Sequence, residues 1–358
     1  MDKTALLNGL KICRPAIGES LIKGLESYHI TGRHIAAFNG RLLLQTELEE
    51  DFPINGSIAG ETFFKLVNEL DKEIELSTSD SNLIVRAGRS RTTFPVENID
   101  TSFLSDSEED SRRGNLPTSI LFAAGLKRCM ASVGGKGIPQ EEVGIHVFID
   151  SPSTENPEVS SECRMYATNG ITYSRFVFPL EQAMPISQVF LPASFCEQLI
   201  NLYSELNAEP EEIAITQKYV RARFGQVLLR HSFYANPVSW EMRGQVDKGI
   251  DEVALAPLPE DILEAIKRCE IVAGNKPINF KCEDETAKLV LTAIGSKNQE
   301  LVEELDLKYP FDVNLNLDLK GLRKIIESCK EIGFGQDYVC LIGKEDYYDI
   351  ILTTRFTQ

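Results

Sequence analysis

Apolar residues recur at helical spacing (i, i+3, i+4, i+7) in three stretches of this chain: TALLNGLKICRPAIG, TSILFAAGLKRCMASVGG and EDILEAIKRCEIVAG. Thr4, Thr118 and the Glu260-Asp261 pair mark helix starts, Gly18, Gly134 and Gly274 mark helix ends, and Leu7, Leu121 and Leu263 hold comparable places. A second set of segments runs from a short strand into a helix and then into alternating strands. SIAGETFFKLVNELDKE leads into EIELSTSDSNLIVRAGRSRTTFP, VFLPASFCEQLINLYSELN into EIAITQKYVRARFGQVLLRHSFY, and VNLNLDLKGLRKIIESCKEIG into YVCLIGKEDYYDIILTTRF. Phe64, Phe195 and Leu322 are equivalent there, about 130 residues apart in each case.

The order helix, strands, helix, strands therefore occurs three times, with predicted helices over residues 3–18, 61–72, 118–136, 193–207, 260–276 and 318–332. Strands outnumber helices, and the turns are too short for parallel crossovers. The expectation is an α+β protein of three repeated domains (1–115, 116–245 and 246–358), each carrying two helices on antiparallel or mixed sheets. SDSEEDSRRGNLP (105–117) and RGQVDKGIDEVALAPLP (243–259) are expected to be solvated connectors. Edge strands call for partners, and pairing between neighbouring domains and between chains would leave none exposed.

Of the 358 residues 42% are hydrophobic, which excludes a disordered or fibrous chain. The formal net charge of -17 would repel nucleic acid if it were evenly spread. It is not: residues 3–18 and 118–136 each carry three cations and no acid. Lys11 and Arg14, Lys127 and Arg128, and Lys267 and Arg268 fall near the C-terminal part of each first helix, and Lys320, Arg323, Lys324 and Lys330 fall on the last. One such pair could merely complement a helix dipole. Recurrence in three repeats points to a surface facing a polyanion.

No apolar run approaches the length of a membrane span and no signal segment opens the chain, so a soluble, cytoplasmic protein is expected. Eight scattered cysteines form no C-x-x-C pair and read as buried thiols, with neither metal nor other cofactor implied. His29, His34, His146 and His231 have no metal-ligand spacing, GGKGIP lacks the phosphate-loop pattern, and DSEED lacks that of a calcium loop. Asn55-Gly56-Ser57 reads as a turn. Nothing supports an enzyme.

Three segments carry a family likeness: NLIVRAGRSRTTFP (82–95), RMYATNGITYSRFVFP (164–179) and the chain end DIILTTRFTQ. The chain resembles the bacterial-type DNA polymerase III β sliding clamp over essentially its whole length. Ala167, Thr168 and Gly170 match that family's A-T-D-G-H-R-L segment, Asn169 replaces the acid, and Ile171, Thr172 and Tyr173 replace His-Arg-Leu. Arg355-Phe356 stands where the family has Arg-Leu. These departures suit a divergent member, such as one carried by a virus. The resemblance implies a head-to-tail homodimer of three-domain subunits closed around duplex DNA without reading its sequence, with the ten cations named above as lining. It also implies a pocket for short peptide motifs of DNA polymerase and clamp loader, made by Thr168, Gly170, Ile171, Tyr173, Pro237, Met242, Ile350, Leu352, Thr354 and Phe356. Trp240 lies in the same region. The rival reading is an α+β repeat scaffold that docks peptides and leaves DNA alone.

Overall fold

One order of elements recurs along the chain. The computed structural model describes all residues except 1, 19–23, 71–72, 99–111, 135–142, 151–160, 171, 234–242, 284–286, 318–321, 336–337, 344–347 and 354–358. The first run holds α1 (Lys3–Cys13), β1 (Ser27–Thr31), β2 (His34–Phe38), β3 (Leu42–Glu47), β4 (Gly56–Ala59), α2 (Gly60–Glu69), β5 (Glu75–Ser79), β6 (Asn82–Ala87) and β7 (Ser90–Pro95). The second holds β8 (Gly114–Leu116), α3 (Ile120–Cys129), β9 (Gly144–Asp150), β10 (Glu162–Thr168), β11 (Thr172–Pro179), β12 (Gln188–Pro192), α4 (Ala193–Leu206), β13 (Glu212–Ile215), β14 (Tyr219–Phe224) and β15 (Val227–Ser232). The third begins with α5 (Arg243–Asp251) and β16 (Leu255–Pro257), then α6 (Ile262–Ala273), β17 (Ile278–Glu283), β18 (Lys288–Ile294), β19 (Glu300–Asp306) and β20 (Val313–Leu317). It ends with α7 (Leu322–Ile326), β21 (Cys329–Phe334), β22 (Tyr338–Gly343) and β23 (Tyr348–Thr353).

The strands form four sheets, ordered β4-β1-β2-β3-β15-β14-β13-β8, β12-β9-β10-β11-β23-β22-β21-β16, β19-β18-β17-β20 and β5-β6-β7. The α+β class and the antiparallel pairing expected from alternation hold throughout the described strands. Each eight-stranded sheet joins the first-half strands of one repeat to the second-half strands of the next, through β3 with β15 and β11 with β23. Compactness consequently runs across the repeats. One compact unit comprises Met1–Ala123, Met184–Ile186 and Leu191–Pro237, and the other Ala124–Ala183, Ser187–Phe190 and Val238–Gln358.

In the first unit the Asp2 side chain accepts from the Thr4 amide at 3.0 Å and starts α1. Leu6 and Leu10 of α1 are fully buried, and the Tyr28 hydroxyl donates to the Leu10 carbonyl at 2.9 Å. Phe63 meets both Tyr28 and Phe94 edge-on. In the second unit α3 lies so close to its sheet that a Cβ on Gly125 would come within 2.8 Å of Met165 Sδ and Phe176 Cδ1.

The two Asn-Gly hairpins are built alike. Asn39 Oδ1 accepts from the Leu42 amide and Asn169 Oδ1 from the Thr172 amide, at 2.9 and 2.8 Å, while Gly40 and Gly170 take φ of +96° and +82°. Asn169 thus performs the turn-closing task with a neutral amide.

Four expectations need correction. Asn55-Gly56-Ser57 is no turn, since Gly56 and Ser57 lie in β4 and pair with Ile30 and His29 of β1, and the end of the 105–117 connector is β8, which pairs with β13 and buries Leu116. The helix predicted over 318–332 is described only as Leu322–Ile326; the Ser328 hydroxyl and Cys329 thiol both donate to the Ile325 carbonyl, at 2.7 and 3.1 Å, and the chain leaves as β21. Pairing of Cys329 and of Glu331–Phe334 with β22, across a register shift after Cys329, outweighs helical propensity there. Residues 243–259 are no solvated connector, since they form α5 and β16 and bury Val246, Ile250 and Ala256.

Candidate functional site

The three first helices share a five-residue core: Gly9-Leu10-Lys11-Ile12-Cys13, Gly125-Leu126-Lys127-Arg128-Cys129 and Ala265-Ile266-Lys267-Arg268-Cys269. Cys13 Sγ donates to the Ile35 carbonyl on β2 at 3.3 Å, and Cys129 Sγ to the Met165 carbonyl on β10 at 3.7 Å. Both acceptors sit three residues before the paired hairpin ends Phe38↔Leu43 and Thr168↔Tyr173. The thiols are therefore equivalent hooks. All three cysteines are buried, and a residue two positions earlier points about 200° away around a helix, so Lys11, Lys127 and Lys267 are all exposed.

This register refines the recurrence read from the sequence. One lysine repeats in each domain-sized segment; Leu7 matches Ala123 and Leu263 rather than Leu121, and Arg128 and Arg268 match Ile12 rather than Arg14. Arg14 begins a 3-10 turn after α1, where Nε and Nη2 donate to the Glu61 carboxylate at 2.9 and 3.2 Å and the guanidinium lies 4.4 Å above the Phe64 ring. Those hydrogen bonds raise the Arg14 pKa above its ordinary value and hold the Glu61 carboxyl below the usual range. Arg268 likewise donates to both Glu303 oxygens, at 2.6 and 2.9 Å, with the same paired shifts. Lys267 pairs with Glu264 at 3.8 Å and Arg323 with Glu327 at 3.5 Å.

Lys330 stands on β21 rather than on a helix, a correction to the expected lining, and it is exposed there. Lys320 lies outside the described residues, and of Lys324 only the backbone, in α7, is described. Arg128 is half-buried in the last turn of α3. Exposed ion pairs of this kind are weak and screened by salt, so a phosphate can take the carboxylate's place at little cost.

For the predicted peptide pocket, Ile171, Pro237, Met242, Thr354 and Phe356 lie outside the described residues, as does Trp240. Thr168 and Tyr173 are cross-strand partners and share one sheet face, the one opposite α3; Gly170 is in the turn between them, its amide donating to Thr168 Oγ1 at 3.0 Å. On β23 the position opposite Tyr173 is Ile351; Ile350 pairs with Ser174 and Leu352 with Thr172, one step out of register with Tyr173.

Sequence reading missed what occupies that face. Arg164 and Tyr166 on β10 and Arg175 on β11 stand beside Thr168 and Tyr173, and Asp247 of α5 reaches all three. The signal was present in the alternation: one arginine on each strand, Arg164 and Arg175, on the face opposite the buried Cys163, Met165 and Ala167 of β10 and Phe176 and Phe178 of β11.

Among the described residues no cluster of side chains suits a metal ion, and no helix is long and apolar enough to cross a membrane. All eight cysteines are buried and unbridged.

No protein-family model matches the chain. A curated β sliding clamp from Caulobacter vibrioides is 23% identical over 291 residues, covering 79% of this chain and 74% of that one. The crystal structure of the DNA polymerase sliding clamp from Caulobacter crescentus superposes with a TM-score of 0.83 at 17% identity, covering 100% of this chain and 99% of that one. The chain has the β sliding clamp fold. The DNA polymerase III β subunit of Pseudomonas aeruginosa gives a TM-score of 0.79 at 15% identity, over 99% and 98% of the two chains. At such identities the agreement lies in topology rather than in side chains.

Proposed function

We propose that this protein is a DNA sliding clamp, a non-catalytic ring that encircles duplex DNA and tethers a polymerase to it. The observation that carries the reading is the end-to-end likeness to clamp structures, in which every described sheet takes part. Sliding asks for phosphate contacts that are weak, exchangeable and blind to sequence. Three repeated, exposed lysines, with arginines already shared with carboxylates, suit that demand on a chain of net charge -17.

Division into domains 1–115, 116–245 and 246–358 approximates the repeats, its boundaries falling within β8 and α5, and the proposed ring closure uses the edges. Among the described residues β7 and β19 end their sheets, although their counterparts β15 and β3, or β23 and β11, are paired. At both internal junctions the first residue of the second-half hairpin return meets the position three beyond the other hairpin's return: Val227↔Thr46 and Tyr348↔Phe176. The same rule applied to β7 and the β19 of a second copy gives Ser90↔Glu303, Arg91↔Val302, Thr92↔Leu301 and Thr93↔Glu300. Arg91 then sits between Glu300 and Glu304, over a Val302 that is 50% exposed in the single chain. A head-to-tail homodimer uses each edge once.

The partners are duplex DNA and, through short peptide motifs on the face of Thr168 and Tyr173, a DNA polymerase and a clamp loader, all in the cytoplasm. The test has two arms. Sedimentation should give a species near twice 40.0 kDa, which Arg91→Glu weakens and Glu300→Lys with Glu304→Lys then restores. Protein reassembled from dilute monomers in the presence of nicked circular plasmid should co-elute with the circle and be lost on linearisation. Equal retention on both, or on neither, overturns the clamp reading in favour of a scaffold.

A further inference from the structure

We infer that α5 is a built-in occupant of the sheet face bearing Thr168 and Tyr173, and that a partner segment gains this face by displacing it; the step rests on the proposed use of that face for partners. Val246 and Ile250 of α5 are 4% and 5% exposed, and pack with Phe148, Tyr166 and Cys340 and against the partly buried Tyr173, Val253, Tyr338 and Ile342. Between these anchors the Asp247 carboxylate accepts from the Tyr166 hydroxyl at 2.8 and 2.9 Å, and pairs with Arg175 at 3.2 Å and Arg164 at 3.5 Å. Arg175 also reaches Asp251 at 3.5 Å, and the Tyr338 hydroxyl donates to the Gly249 carbonyl at 3.0 Å.

The helix itself argues for removal and return. It has nine residues, two of them Gly244 and Gly249, so it is helical only while the sheet holds it. The face beneath it is built of arginine, tyrosine and apolar side chains, the composition that carries binding energy at interfaces. Arg164 also pairs with Asp150 and Glu162, both at 3.0 Å, so its charge stays partnered when α5 leaves. The pattern of α5 states what a competitor must offer: an aliphatic residue followed directly by an acid, and a second aliphatic three residues after the acid. The aliphatics replace Val246 and Ile250, and the acid replaces Asp247 against two guanidiniums and a hydroxyl.

The test uses the full chain, its Asp247→Asn and Val246→Glu/Ile250→Glu variants, and a labelled peptide of residues 241–253 as the probe. Amide exchange over 244–251 should rise at least about tenfold in both variants while the strands beneath keep their protection. The peptide should bind the double variant at least about tenfold more tightly than the parent, and an Asp247→Asn peptide should lose that gain. Unchanged exchange in α5, strand protection that falls together with it, or no peptide binding to a double variant with intact strands each overturns the inference. Neither arm uses DNA or a polymerase, so failure of partner recruitment at this face is read separately.

Discussion

The Cys13 thiol donates to the Ile35 carbonyl oxygen at 3.3 Å, and this buried contact decides which side of α1 Lys11 occupies. Cys129 on Met165 does the same for Lys127. Changing Lys11, Lys127 and Lys267 together to alanine should leave folding intact, because all three are exposed. Retention on circular DNA should fall, and the slope of log affinity against log salt should shrink by about 0.9 for each lysine that meets a phosphate. An unchanged slope would remove these lysines from the DNA surface.

Glu61 holds the Arg14 guanidinium that the proposed clamp would offer to phosphate. Glu61→Gln keeps the shape, removes the charge, and should strengthen salt-dependent retention on DNA. Melting should move little, since exposed ion pairs contribute about 0–1 kcal/mol. Weaker retention in this variant would assign Arg14 to structure alone.

Burial pushes the Cys13, Cys129 and Cys163 thiols far up and Cys269 to about 11. With all eight cysteines buried, an alkylating reagent at pH 8 should label none of them in the folded protein and all eight in denaturant, as counted by intact mass.

Acid should destabilise the fold before its carboxylates titrate. Burial lowers the His146 pKa to about 4, and it lowers those of His29 and His231 as well. Because the unfolded chain, with histidine near 6.5, binds these protons more readily, the stabilisation is fully present above pH 6.5. It is lost as the pH falls toward 4, on the order of 3 kcal/mol for His146. Thermal unfolding should show a lower midpoint at pH 5 than at 7.5, and His146→Phe, beside Phe190, should flatten that dependence.

Gly125→Ala drives a methyl into Met165 and the Phe176 ring, whereas Gly9→Ala meets the mobile end of Leu48 at 2.9 Å. The first should cost about 1–3 kcal/mol and the second less, measured by denaturant titration.

Periodicity made the repeats and the α+β class legible, because local spacing encodes them; the Asn39 and Asn169 turns went unread, and the Asn-Gly pair that was read as a turn, Asn55-Gly56, leads into β4 instead. The early end of α7 was not, since Ser328 and Cys329 satisfy the Ile325 carbonyl only once the sheet draws the chain away. Lys11, Lys127 and Lys267 could be seen as basic pairs, but their register comes from the cysteine two residues later, which the Cys13 and Cys129 thiol bonds place alike in two of the helices. The polar stretch around Asp247 looked solvated because its partners, Arg164 and Arg175, are some 70 to 80 residues away in sequence, beyond the reach of any local pattern.

Among the described residues, three repeats in tandem make two strand junctions and leave one edge of each kind, β7 and β19, which gives the chain a head and a tail in the sense of a filament subunit. The rule that pairs β15 with β3 and β23 with β11 contains no instruction to stop. Whether copies close or propagate is then decided by the rotation accumulated per chain, a quantity spread over every sheet and invisible in any one interface. For the proposed ring, a substitution far from β7 and β19 that flattened one sheet would turn a finite assembly into a fibre, with both edges unaltered.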